Sequence, residues 1–170
     1  MEIRTAADFL DRVRKRRRGS RRVARRRAVL PHVLRLFVEH AGPVTRAALA
    51  QAVPSMAPAR LDRELARLDA EDLLLLEDGD VVLAYPLAAG PNAFAVTLAN
   101  GQQRYACCAI DALGIAAMLR QRIEVRSPCH HSGEPLAFAV NEAGPEAAAA
   151  ALMVWVGERE IGARHVCTTL

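Results

Sequence analysis

Residues 73–85, Leu-Leu-Leu-Leu-Glu-Asp-Gly-Asp-Val-Val-Leu-Ala-Tyr, constrain this chain more than any other stretch. Two apolar runs flank Asp78-Gly79, a pair that tolerates the positive φ angles of a two-residue β-turn, so the segment predicts a β-hairpin. Three helical patterns precede it. Leu30, Val33, Leu34 and Phe37 recur at helical spacing, with Pro31 tolerated in a first turn. Ala41-Gly42-Pro43 ends that helix, and Thr45 is placed to cap a second one running through Ala52 with Leu49 inward. Ser55 and Pro58 mark the start of a third, whose Leu61, Leu65 and Leu68 form one stripe. Three helices followed by a hairpin is the winged-helix order. Such folds often read DNA with the third helix, but Arg60, Arg63 and Arg67 here sit among Asp62, Glu64, Asp69, Glu71 and Asp72. Phosphate would repel that surface, so the expectation is a structural winged helix.

The 170 residues allow one sizeable domain or two small ones, and a hydrophobic fraction of 52% predicts a packed core. The net charge of +4 hides a strong asymmetry: residues 1–27 carry +9 and the remainder −5. The basic character therefore belongs to the Arg-rich run 12–27, which reads either as a solvated arm or as a phosphate-binding tail for nucleic acid. No aromatic residue interleaves the run, so base stacking is not indicated. The N-terminal stretch shows no apolar core of a secretory signal, and no apolar run reaches the roughly 18 residues of a membrane span. The expectation is a cytoplasmic protein with no membrane partner and reduced thiols.

From residue 91 the pattern changes. Residues 93–106 alternate apolar and polar positions around Asn100-Gly101, another hairpin signal. Residues 106–120 read as a buried helix and 123–126 as a short strand. A turn-rich loop follows (Ser127-Pro-Cys-His-His-Ser-Gly-Glu-Pro135), and residues 136–140 and 151–156 read as further strands. The expected fold is α+β: a basic arm (1–27), a winged-helix-like three-helix domain (28–90) and a mixed β-sheet/helix catalytic region (91–170), with the boundary at Gly90-Pro91.

The four cysteines, at 107, 108, 129 and 167, do not form the paired CxxC units of a zinc knuckle. Cys108 and Asp111 are three apart and share a helix face, while Cys107 lies about 100° around it. A first-turn position also favours a thiolate through the helix dipole. Thiolate and carboxyl together can bind a soft metal and move a proton in one place. Cysteines are equally good core residues and early-helix aspartates are common, so spacing alone leaves both readings open. Cys129 with His130 and His131 suggests zinc, but adjacent loop residues make poor tetrahedral ligands without others converging. His32, His40 and His165 carry no spacing signal.

The stretch Arg104–Val140, with Tyr105, Ala106, Cys108, Ala109, Asp111, Cys129, Gly133 and Pro135 on matching positions, closely resembles the core motif of the alkylmercury (organomercurial) lyases. Residues 42–75 resemble that family's N-terminal helical domain, so the likeness covers roughly 28–167. It implies protonolysis of a carbon–mercury bond to a hydrocarbon and Hg(II), with no bound cofactor. Cys108 falls on the mercury-binding thiolate, Asp111 on the proton carrier, Cys167 on the second thiol and Cys129 on a structural cysteine. Cys108 and Cys167 would share the mercury, and a free thiol or a mercuric reductase would collect it. Two departures stand out: Cys107 replaces the family's tryptophan, and the family's aromatic-rich C-terminal portion does not follow Cys167. The alternatives are a relative that binds mercury or another soft metal without turnover, and a winged-helix regulator whose arm engages DNA and whose cysteines sense metal.

Overall fold

The computed structural model describes residues 28–149 and 151–154. The Arg-rich arm and Cys167 lie outside them. In chain order the elements are α1 (Leu30–Glu39), α2 (Arg46–Ala52), α3 (Pro58–Ala70), β1 (Leu74–Glu77), β2 (Asp80–Ala84), β3 (Leu87–Ala88), β4 (Ala95–Thr97), β5 (Gln103–Ala106), α4 (Ala109–Leu119), β6 (Ile123–Pro128), β7 (Pro135–Asn141) and β8 (Gly144–Pro145), then a 3₁₀ turn at Ala147–Ala149.

Each helix starts where local chemistry favours it. Pro31 stands in the first turn of α1, and Pro58 opens α3, positions where a missing N–H costs nothing. Thr45 Oγ1 accepts the N–H of Ala48 at 3.1 Å and caps α2. Of the predicted stripes, Val33 and Phe37 from α1, Leu49 from α2, and Leu61, Leu65 and Leu68 from α3 are buried, while Leu30 and Leu34 are partly buried and Leu36, outside the predicted stripe, is buried as well. The first hairpin turns at Asp78 and Gly79, with φ of 50° and 87°, and pairs Glu77 with Asp80. Val44, between α1 and α2, bridges to Val81 of that hairpin.

The strands form one antiparallel sheet in the order β1-β2-β3-β5-β4-β6-β7-β8. The connection through Gly90-Pro91 joins β3 to β4, and β3 itself pairs with β5, so the sheet and a contiguous core from Val29 to Val140 run across that point. The α+β class expected from sequence is observed, as a mixture of helices with an antiparallel sheet.

Three sequence expectations need correction. The helix predicted from residue 106 starts at Ala109, because Gln103–Ala106 is spent on strand β5. The strand predicted at 123–126 continues to Pro128, paired to Pro135. Residues 151–154, expected to open a strand, form none: Ala151 is in a turn and Leu152–Val154 are irregular, while 155–156 lie outside the described residues.

Arg104 ties the two halves of the chain together. Its side chain is only 6% exposed, and its guanidinium donates to the carbonyls of Phe37 and Val38 at 2.6–2.9 Å. These are among the last carbonyls of α1, which no helical N–H can reach. Gln103 O and Gln102 Oε1, both at 2.7 Å, each take a further donor. Burial pulls the Arg104 pKa below the usual arginine value, although the group stays charged. Arg104→Met would keep the apolar stem and orphan those carbonyls. The expected loss is on the order of 3 kcal/mol, since hydrogen bonds to charged groups contribute about 1.5–3 each and the freed carbonyls stay partly buried. Urea unfolding of both proteins measures it, and an unchanged midpoint would show that water caps α1 equally well.

Candidate active site at the start of α4

Strand β5 ends at Ala106 and α4 begins at Ala109, leaving Cys107 and Cys108 in the corner between them. Several hydrogen bonds pin that corner. Ala106 N–H donates to Phe94 O at 2.9 Å, and Cys107 N–H to Pro86 O at 3.0 Å. Asn92 Nδ2 donates to Ala106 O at 2.8 Å, while Asn92 Oδ1 accepts Phe94 N–H at the same distance.

Cys108 is the N-cap of α4. Its backbone is extended, at φ −155° and ψ 177°, and its sulfur accepts the Asp111 N–H at 3.5 Å. The Cys108 thiol in turn donates to Asp111 Oδ2 at 3.0 Å. This is a capping-box relation, with N-cap and N3 residues bonding one another, built from sulfur and carboxylate. Cys is not among the preferred N-caps, so a serine would serve the helix better. The sequence pattern placed Cys108 inside the first turn and Asp111 on the same helix face. The correct register makes Cys108 the cap and Asp111 the third helical residue, and the sulfur–carboxylate contact survives because the spacing of three is the same.

Cys107 is not on the helix at all. Its thiol donates to Leu87 O at 3.3 Å, toward β3, while the Cys108 thiol turns to Asp111. In an extended chain successive side chains point to opposite faces, so the two neighbouring sulfurs diverge.

Cys129 sits in the loop between β6 and β7, half-buried. Its N–H donates to Glu134 O at 2.7 Å and its carbonyl accepts Gly133 N–H at 2.8 Å, closing a tight turn that Gly133 enters at φ 74°. Hydrogen bonds from Ser132, side chain first, and from the His131 backbone hold its thiol pKa below the usual value, against opposing effects of burial and Glu134. Iodoacetamide labelling resolved to Cys129 should therefore reach half its maximal rate at a lower pH than an unstructured cysteine peptide. Ser132→Ala should move that midpoint upward, and identical profiles would rule the hydrogen bonds out as the cause. Neither His130 nor His131 joins it in a cluster: among the described residues no group of three or more His, Cys, Asp or Glu side chains could hold a metal ion.

The structure thus brings Cys108 and Asp111 together and leaves Cys107 and Cys129 in separate hydrogen-bond settings. Cys167 falls outside the described residues. Sequence reasoning overlooked Asn92 and Arg104, which hold β5 and its terminal corner in place. Arg104 was discoverable, because it has the same strand parity as the apolar Ala106 and must share its inward face.

Comparison with known proteins finds relatives of one family. The family described as MerB, alkylmercury lyase, matches residues 87–170. Curated alkylmercury lyases from Bacillus cereus and Clostridium butyricum are each 41% identical to the chain over 61 residues, which is 35% of this chain and 27% of each relative. The matched part is thus about a quarter of those proteins' length. The crystal structure of the mercury-bound form of MerB2 superposes with a TM-score of 0.60 at 21% identity, covering 69% of this chain and 56% of that one, a likeness of fold. From residue 87 onward, the chain is similar to the alkylmercury lyase family.

Proposed function

We propose that the protein cleaves the carbon–mercury bond of organomercurials by protonolysis, releasing a hydrocarbon and leaving Hg(II) on sulfur. The observation that carries this reading is the 3.0 Å contact between the Cys108 thiol and Asp111 Oδ2 at the start of α4. A thiol already donating to a carboxylate has a place to send its proton when sulfur bonds to mercury. Soft sulfur suits mercury far better than oxygen or nitrogen ligands. As the sulfur–mercury bond forms, the carbon–mercury bond breaks with its electron pair on carbon. That carbon then takes the proton held by Asp111. One S–Hg bond is gained, one C–Hg bond is lost, a proton moves from sulfur to carbon, and mercury is neither oxidised nor reduced. Cys167 is the proposed second thiol, completing ligation as carbon departs. A free thiol or a reductase would then collect the ion.

The N-terminal elements fit a supporting role. The order α1–α2–α3–β1–β2, with Val44 bridged to Val81, supports a winged-helix-like platform. Its third helix has charges already paired: Asp62 with Arg46 of α2 at 2.6 and 2.8 Å, and Arg67 with Glu71 at 3.0 Å. Those pairings and the acidic residues disfavour phosphate binding there.

The test is incubation with phenylmercury acetate and excess thiol, with benzene measured by gas chromatography. Release in proportion to substrate consumed is the expected result. Mercury uptake without benzene would make the protein a soft-metal binder instead.

A further inference from the structure

Among the described residues the exposed large apolar side chains are Ile110, Met118, Leu152, Met153 and Val154, at 39%, 38%, 39%, 94% and 43%. They are not scattered. Ile110 and Met118 belong to α4, and the other three lie on the segment that leaves β8, a strand packed against α4. Asp111 is the one charged residue of α4. Ala112, Ile115 and Ala116 turn its inner side to the core, while Ile110, Gly114, Ala117 and Met118 form an exposed stripe along the other side. A surface helix normally turns polar residues outward, so a stripe of this kind marks an interaction face.

We infer that two copies of this chain pair through α4, with the helices antiparallel across a two-fold axis at Gly114. The stripe is its own complement. Ile110 and Met118 stand four residues either side of Gly114, about 6 Å along the helix axis in each direction. A half-turn about an axis through Gly114 lays Ile110 of one copy against Met118 of the other, and the reverse, which is the isologous contact a symmetric dimer requires. A Cβ built on Gly114 meets nothing within 4 Å, so the space above mid-helix is open for the second helix to approach closely. The stripe itself carries no charge, so pairing it with its copy buries no ion.

Area supports the same occupant. The exposed parts of the five large side chains, with Gly114 and Ala117, amount to roughly 500 Å² of apolar surface, at the upper end of what a monomer leaves bare. A standard interface buries about 800 Å² per partner, and in homodimers about 65% of it is apolar. The bare surface and the apolar need of such a dimer therefore match. Helix α4 supplies the centre of the contact, and Leu152–Val154 extend it to one flank.

Sedimentation equilibrium of the full chain, freed of nucleic acid and run in high salt, tests the pairing without any assay of turnover. The expected mass is twice the 18.5 kDa of one chain. Met118→Glu and Ala117→Glu each place a carboxylate on an exposed position of the contact. Both should keep the wild-type circular dichroism and weaken association by at least about 30-fold, the loss that defines a hot spot. Gly114→Cys sets the two introduced thiols face to face, and mild oxidation should give a covalent dimer whose peptide map joins position 114 to position 114. A wild-type mass of one chain at every concentration would overturn the pairing. So would a wild-type dimer that neither glutamate variant weakens, because the contact would then lie elsewhere. The pairing does not rest on the proposed chemistry: a dimer that releases no benzene would sink the lyase reading and leave this inference standing.

Discussion

Cys108→Ser should abolish hydrocarbon release while leaving the protein at least as stable as before. The two halves of that expectation come from the same atom. As an N-cap, the Cys108 sulfur accepts one helix N–H at a long 3.5 Å. Serine oxygen is among the best acceptors at this position, and good caps contribute about 1 kcal/mol over poor ones. The substitution should therefore hold or raise the unfolding midpoint. As a mercury ligand, serine exchanges soft sulfur for hard oxygen and loses the bond on which the proposed chemistry turns. Turnover of phenylmercury should fall by at least about 10³-fold, comparable to removing a nucleophile that acts as a unit with its partner. The paired measurement is benzene release and urea unfolding on the same preparation. Retained turnover would fail the lyase reading at its centre, and a large loss of stability would make Cys108 chiefly structural.

How far these features were legible in the sequence follows from how local their causes are. The Asp78-Gly79 turn, the Thr45 cap and the Leu61/Leu65/Leu68 stripe depend on neighbouring residues, and each appears where its pattern placed it. The start of α4 was misplaced by three residues because Ala106 and Cys107 are apolar and suit a helix or a strand equally well. Pairing decided it: Ala106 lies opposite Leu87 on β3, a contact that no local window contains. The same reason hid the partners of Arg104, which lie 66 and 67 residues away on α1, although its inward face was readable from strand parity. Asn92 escaped because its partner is a backbone carbonyl, which every residue offers. The Cys108–Asp111 pair was readable in spite of the register error, because a spacing of three brings side chains together both inside a helix and from its cap to its third residue. The expected strand at 151–156 rested on apolar content alone, with no alternation to set a face, and residues 151–154 are irregular.

The largest separation between binding and chemistry is expected at Asp111. Asp111→Asn preserves the shape of the side chain and the backbone N–H that reaches Cys108 sulfur, so the cap and the fold should persist. It removes the carboxylate that accepts the thiol's hydrogen bond at 3.0 Å. An amide at this position can still accept a hydrogen bond through its oxygen, but it cannot take up a proton and hand it on. Sulfur would still capture mercury, since excess base in solution can remove the thiol proton, while the carbon would wait for a proton from water. Positioned proton transfer contributes about 10²–10⁴-fold, so benzene release in a single turnover should slow by that factor. Mercury bound per protein, measured by equilibrium dialysis with an organomercurial, should change little. Equal losses of binding and release would instead make Asp111 a ligand or a structural partner. Asp111→Glu offers a further check: it keeps the acid but lengthens the arm by one methylene, and partial recovery of release over the asparagine variant would tie the effect to the proton itself.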